Sequence, residues 1–223
     1  MGAIDRMIEE QHLLMHPFYH RWQKGKVSLD VLRSYAVQYY AYESALPLFL
    51  EKAMAHLPEG PALEALKENL NDEAGGPCPH PELWLRFAEA LGLSRDEVHG
   101  AELLPRTANL VYTYDCLCER GPDEALAALY AYEAQFPAVA ATKAEALRRF
   151  YGITSPEALE FFDLHSTLDH EHAAGIRTGL ADSEQARESA ALALDAWWMM
   201  LDSFEAMHDV GHSPRPRAPE PAH

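Results

Sequence analysis

The chain has 223 residues, 48% of them hydrophobic, and a formal net charge of −17. This composition supports a sizeable buried core. It argues against binding to nucleic acid or to an anionic membrane surface, because both require clustered lysine and arginine. No apolar run approaches the length of a membrane span, and residues 1–6 form neither a signal peptide nor a myristoylation motif. We therefore expect a cytoplasmic protein.

Helical periodicity continues along the chain, and no segment shows the alternation that is typical of a strand. Pro137 predicts a kink inside one long helix. The predicted helices, in chain order, span residues 4–14, 17–22, 29–55, 62–73, 81–92, 106–119, 123–150, a segment from 156 onward, and 183–208. No repeat or linker divides the chain, so we predict a single all-α domain over residues 1–210. The proline-rich residues 211–223 are predicted to be a disordered tail.

The three cysteines do not indicate a disulfide scaffold or a redox motif. Their number is odd, and Cys116-Leu117-Cys118 lacks the two-residue spacing of a redox or zinc pair. We interpret Cys78, Cys116 and Cys118 as structural thiols in a reducing compartment.

The segment that follows Ser155 carries the most informative pattern. In a helix, His165, Asp169 and His172 fall at i, i+4 and i+7 and share one stripe. Imidazole and carboxylate groups aligned in this way suit iron, manganese or zinc. The alternative interpretation is a solvated, histidine-rich helix face.

Further candidate ligands lie in two other segments of the chain. Glu73 and His80 flank Gly75-Gly76-Pro77, which must unwind for the two side chains to meet, and Glu133 lies in a tyrosine-rich helix. With the triplet they make three carboxylates and three imidazoles, enough for two metal ions roughly 3.5–4 Å apart. The rise of roughly 10 Å between His165 and His172 is long for one ion and natural for two.

A rival di-metal site uses a different spacing. Glu9 and His12, and also Glu205 and His208, are related as Glu-x-x-His, which is found in ferritin-like di-iron bundles. Its partners would be Glu43 and Glu133. Both motifs lie near the ends of the chain, and such spacing arises easily by chance among 12 histidines.

The ordered set of candidate ligands resembles that of the haem-oxygenase-like di-iron proteins. The segments that carry the likeness are Asn71-Asp72-Glu73, His80-Pro81-Glu82-Leu83-Trp84, Tyr132-Glu133 with Pro137, and His165, Asp169 and His172. The likeness extends from about residue 11 to residue 205 and is strongest to the subgroup of the chlamydial death-domain-associating protein, which is related to thiaminases and pyrroloquinoline-quinone-synthesis proteins. It implies a single-domain, seven-helix haem-oxygenase-like bundle, commonly a homodimer, with an Fe/Fe or Mn/Fe pair.

The resemblance also implies a reaction. Members of the subgroup resemble oxygen-dependent makers of para-aminobenzoate, a folate precursor, that consume a tyrosine of their own chain and take the amino group from a lysine. The tyrosine corresponds to Tyr19 and the lysine to Lys143, with Tyr132 and Tyr35 as secondary redox residues. The reaction would need O2 and an external reductant but no separate aromatic substrate.

Other interpretations stay open at this point. Tyr19 is also a candidate for an ordinary core residue, and Lys143 for a surface lysine whose stem packs on apolar neighbours. The same ligands would serve an oxidase that acts on an external amine, amino acid or fatty acid. A non-enzymatic helical binding protein is the third alternative. A thiaminase is disfavoured because no cysteine has an evident catalytic context.

Overall fold

The structure, a computed structural model, describes residues 2–75 and 78–211, except for the side chains of residues 168–170 and 208–211. Within this part of the chain the fold is all-α, without strands, as predicted. It comprises eleven α-helices and one 3-10 turn, Leu13–Met15. The helices are α1 Ala3–Glu10, α2 Pro17–Trp22, α3 Leu29–Met54, α4 Pro61–Ala74, α5 His80–Ala90, α6 Arg95–His99, α7 Pro105–Arg120, α8 Pro122–Glu133, α9 Phe136–Phe150, α10 Pro156–Arg177 and α11 Glu184–Gly211.

Local sequence signals explain where most helices begin. Helices α2, α4, α7, α8 and α10 start with a proline, whose missing N–H costs nothing in the first turn. The Ser28 hydroxyl accepts a hydrogen bond from the Val31 amide at the start of α3, and the Ser155 hydroxyl does the same for the Ala158 amide at α10. These caps satisfy amides that the helix itself leaves unpaired.

The predicted kinked helix over residues 123–150 is wrong, because it consists of two helices. Helix α8 ends at Glu133 and α9 begins at Phe136, with Pro137 in its first turn. The Pro137 ring would clash with the carbonyl of Glu133, four residues earlier, if the helix continued. The expected count of seven helices is too low. Short segments such as α6 form helices of their own, and α8 and α9 are separate helices.

Three further features of the described chain concern its C-terminal helix, its cysteines and its helix lengths. Helix α11 extends through Gly211, and the remainder of the predicted tail lies outside the described residues. All three cysteines are free thiols. Among the described helices, none has the length and apolar character that crossing a membrane requires.

The core is strongly aromatic and lies between the long helices. Helix α3 packs against α4, α5 and α7, helix α10 against α4, α5, α8 and α9, and α11 against α7 and α8. The Tyr39 ring of α3 stacks on Trp84 of α5 with 4.0 Å between ring centroids. The interior faces of α3, α4, α5, α8 and α10 therefore meet in one region, and the candidate ligands lie there.

Candidate metal centre

Four buried side chains from four different helices converge at this region. Glu43 of α3, Glu73 of α4, His80 of α5 and His165 of α10 each offer one ligand atom, and these atoms all lie within 4.8 Å of one another. Each residue is at most 3% exposed. A buried set of two carboxylates and two imidazoles suits iron, manganese or zinc.

Glu73 is the central residue of the group. Its Oε1 lies 3.0 Å from Nδ1 of His80 and 3.6 Å from Nε2 of His165. The other ring nitrogen of His165, Nδ1, lies 2.6 Å from the carbonyl oxygen of Phe161, to which it donates. That hydrogen bond fixes the tautomer and directs the Nε2 lone pair towards Glu73, as in histidines that bind metals. Helix α4 ends at Ala74 and α5 begins at His80, and Glu73 and His80 meet, as the metal prediction required.

The remaining predicted ligands lie beside this group. Glu133 is 3% exposed, and its Oε1 accepts a hydrogen bond of 3.1 Å from the Asn69 amide. His172, two turns after His165, lies with Nε2 3.1 Å from Oδ2 of Asp72. The Asp169 side chain lies outside the described residues. His165 and His172 therefore occupy different parts of the region. The charge of His172 acts on the carboxylate of Glu133.

The electrostatics of the site favour a bound cation. Burial raises the pKa of Glu43 well above its usual range, and the charges of Glu73 and Glu133 add to this effect. Burial also opposes ionisation of Glu73, but the neighbouring imidazole groups of His165 and His80 outweigh it and lower the Glu73 pKa to about 2. Oε1 of Glu43 and Oε2 of Glu73 are buried without a hydrogen-bond partner. Positive charge placed between these oxygens would remove the cost of burying them, so the residues fit a metal ion.

Glu133 predicts a pH dependence of the metal-free protein. Burial raises the pKa of Glu133 to about 7, so between about pH 4.5 and pH 7 the folded state keeps a proton that the unfolded chain releases. This group therefore makes the folded state lose stability as the pH rises through that interval. We expect Glu133→Gln to be more stable than the wild type at about pH 8 and to lose that advantage at about pH 5. Urea unfolding in the presence of a chelator measures the difference, and a pH-independent difference would contradict the assignment.

Lys143 lies in an aromatic pocket next to the carboxylates. It is fully buried, and its Nζ has no hydrogen-bond partner. This atom lies 4.6 Å from the ring centroid of Tyr39, 5.2 Å from that of Tyr35 and 5.7 Å from that of Tyr19. Burial holds the pKa of the Lys143 amine well below its usual range, and Glu43 opposes only part of that effect. The alternative of a surface lysine is wrong, because α9 turns this face of the helix inwards.

The predicted tyrosines are joined in pairs around the same pocket. The Tyr19 and Tyr35 hydroxyls lie 3.1 Å apart, and the Tyr39 hydroxyl forms a direct hydrogen bond with that of Tyr132. Burial raises the pKa of the Tyr19 phenol far above its usual range, which keeps the group protonated. Tyr132 precedes Glu133 in the chain, so the two pairs extend from the aromatic pocket to the candidate ligands.

Among the described side chains, the rival Glu-x-x-His residues do not come together as a site. Glu9 is exposed, and the Glu205 carboxylate accepts a hydrogen bond of 2.9 Å from the Arg21 guanidinium. Nδ1 of His12 accepts from the Leu14 amide at the start of the 3-10 turn. The His208 side chain lies outside the described residues. Helix α1 ends at Glu10, so Glu9 and His12 do not lie on the same helix.

Glu43 is the member of the central group that the ligand motif does not include. The sequence analysis considered it only for the rival site. One signal was present, because Glu43 follows Tyr35 and Tyr39 at helical spacing of four residues. An acidic residue on the same helix face as two aromatic residues is expected to be buried. The spacing alone does not show which groups of other helices surround it.

Comparisons with known proteins find relatives over most of the chain. Residues 33–205 match the model of a family described as "Iron-containing redox enzyme". A protein from Nitrosomonas europaea named 4-aminobenzoate synthase is 39% identical, covering 90% of this chain and 89% of its own length. A protein of the same name from Chlamydia pneumoniae is 33% identical, covering 90% of this chain and 92% of its own. The crystal structure of a TenA homologue from Pseudomonas syringae has the same fold, with a TM-score of 0.77, 14% identity and coverage of 92% and 93%. The chain therefore belongs to the family of iron-containing redox enzymes with a haem-oxygenase-like fold.

Proposed function

We propose that this enzyme is an oxygen-dependent 4-aminobenzoate synthase that consumes its own Tyr19 and takes the amino group from Lys143. The observation that carries the proposal is the Lys143 amine, which is fully buried, has no hydrogen-bond partner and lies 4.6, 5.2 and 5.7 Å from the ring centroids of Tyr39, Tyr35 and Tyr19. The family resemblance selects Tyr19 among the three rings. Burying such an amine is costly, so a functional role explains it better than a structural one. The name shared by the relatives from Nitrosomonas and Chlamydia supports the same activity.

The chemistry of tyrosine suits this role. The phenol oxygen and Cβ are para to each other on a six-carbon ring, as are the amino and carboxyl groups of 4-aminobenzoate. To form the product, Nζ of Lys143 must bond to the ring carbon that carries the phenol oxygen, and that oxygen must leave as water. The Nζ–Cε bond of Lys143 and the Cα–Cβ bond of Tyr19 must then break, and Cβ must be oxidised to a carboxyl group, with O2 as the oxidant. No separate aromatic substrate is then needed, which accords with a ring that is 2% exposed.

Two metal ions, Fe/Fe or Mn/Fe, would be held by six of the side chains: Glu73, His80, Glu133, His165, Asp169 and His172. With O2 and an external reductant, such a centre supplies an oxidant strong enough to take an electron and a proton from a nearby phenol. Glu73 would hold metal through either oxygen, since its Oε1 lies beside both histidines of the central group and its Oε2 is unpartnered.

The chain's own residues prepare the amine and the phenol. The apolar surroundings of Lys143 favour the neutral amine, which is the nucleophilic form. The Tyr35 hydroxyl holds the Tyr19 phenol through their hydrogen bond and is placed to exchange a proton with it. Tyr132, hydrogen-bonded to Tyr39 and adjacent to Glu133, is placed to transfer oxidising equivalents between the ligands and the pocket.

A single-turnover experiment with Tyr19→Phe tests the proposal. Metal-free protein is loaded with Fe(II), or with Mn(II) and Fe(II), and exposed to O2 with a reductant. We expect the wild type to form no more 4-aminobenzoate than there is protein, with a matching loss of mass in the Tyr19 peptide. Tyr19→Phe should form none, because it lacks the phenol oxygen that is replaced.

The matched control is Tyr112→Phe, which changes a tyrosine that is 68% exposed and should leave the yield unchanged. Loss of mass at Tyr35 or Tyr39 instead would assign the sacrifice to another ring. Product in excess of protein, with Tyr19 intact, would favour an oxidase that acts on an external substrate.

A further inference from the structure

We propose that Glu43 is a metal ligand, in addition to the six residues of the motif. The inference rests on the proposed metal centre and adds a residue from α3, a helix that supplies none of the six. If so, the Glu43 carboxylate lies between the metal site and the Lys143 amine.

The position of Glu43 is that of a ligand. One of its oxygens lies within 4.8 Å of the ligand atoms of Glu73, His80 and His165. Donor atoms bound at roughly 2.0–2.2 Å to a single ion lie at most about 4.4 Å apart. The four atoms therefore already lie close to the largest separation that one ion allows, and side-chain adjustments would bring them onto it.

One oxygen of the Glu43 carboxylate is buried without a partner. The residue is 2% exposed, and its Oε1 has no hydrogen-bond partner. Nζ of Lys143 is itself without a hydrogen-bond partner, so it does not form a hydrogen-bonded pair with Glu43. A buried carboxylate oxygen in this position costs free energy unless a cation binds it.

The competing explanation is a structural acid that shares a proton with Glu73. In that case Glu43 contributes to packing in the metal-free protein and has no part in binding an ion. The two explanations predict opposite results when the carboxylate is replaced by an amide of the same shape.

The test compares Glu43→Gln with Glu51→Gln, which makes the same change at an exposed site two turns further along α3. Mn(II) is titrated into each metal-free protein, and free Mn(II) is measured by electron paramagnetic resonance. We expect Glu43→Gln to bind one ion at least about 10-fold more weakly than the wild type. Glu51→Gln should match the wild type.

Thermal unfolding provides a second readout that does not depend on activity. Without metal, Glu43→Gln should unfold at a higher temperature than the wild type, because an acid buried near two other carboxylates has been removed. With Mn(II), the order should reverse. Glu43→Asp, which keeps a shorter carboxylate, should bind Mn(II) more tightly than Glu43→Gln, and it serves as the second variant if Glu43→Gln fails to fold.

Equal Mn(II) affinity of the wild type and Glu43→Gln would overturn this inference and leave the proposed six-residue centre intact. Absence of Mn(II) and Fe(II) binding by the wild type would overturn both. A lower Tm of metal-free Glu43→Gln, with unchanged affinity, would assign the residue to the structural role.

Discussion

Replacing Lys143 with methionine is expected to abolish 4-aminobenzoate formation and, at the same time, to raise the midpoint of thermal unfolding. The amine is fully buried without a hydrogen-bond partner, a situation that costs about 1–3 kcal/mol. Methionine has a similar length and fits an aromatic pocket without that cost. For a chain of this size, each kcal/mol corresponds to roughly 2–4 °C in Tm.

The combination of lost product and gained stability is what separates a functional lysine from a structural one. A structural lysine would give the opposite result, a lower Tm with product still formed. Calorimetry and product assay on the same preparation measure both effects. Lys24→Met, at an exposed lysine, is the control and should change neither. Product formed at the wild-type level by Lys143→Met would show that the nitrogen has another source.

Replacing Glu73 with glutamine is expected to have the largest effect on metal binding. Its Oε1 lies 3.0 Å from Nδ1 of His80 and 3.6 Å from Nε2 of His165. The amide keeps the shape but loses the negative charge and half of the acceptor capacity. We expect affinity for Fe(II) or Mn(II) to fall by more than the roughly 10–100-fold that loss of an outer-shell partner costs.

Metal analysis after gel filtration, together with the increase of Tm on metal addition, measures this loss. The control is Glu68→Gln, an exposed glutamate on the same helix, which should retain full metal content. Glu73→Gln protein that still carries the wild-type metal content would remove Glu73 from the ligand set.

The parts of the site that local sequence predicts are those carried by one helix or by one ordered motif. The positions of His165 and His172 on α10 follow from helical spacing, and their separation follows from the rise per residue. The sequence showed that Glu73 must approach His80, but not that it does so, because the two residues lie on different helices, α4 and α5. The split between α8 and α9 at Pro137 is also a local effect, although the sequence alone suggested a kink.

The amino-acid sequence by itself determined the all-α class, most helix starts and the ordered set of candidate ligands, because periodicity, caps and prolines act over a few residues. Only the tertiary structure decided that Glu43 joins Glu73, His80 and His165, and that Lys143 is buried against three tyrosine rings. Helical spacing states which residues share a face, but the surroundings of that face come from helices far away in the chain. The burial and the electrostatics of a polar side chain depend on those distant neighbours, and so the fold, not the motif, sets the chemistry of Glu43 and Lys143.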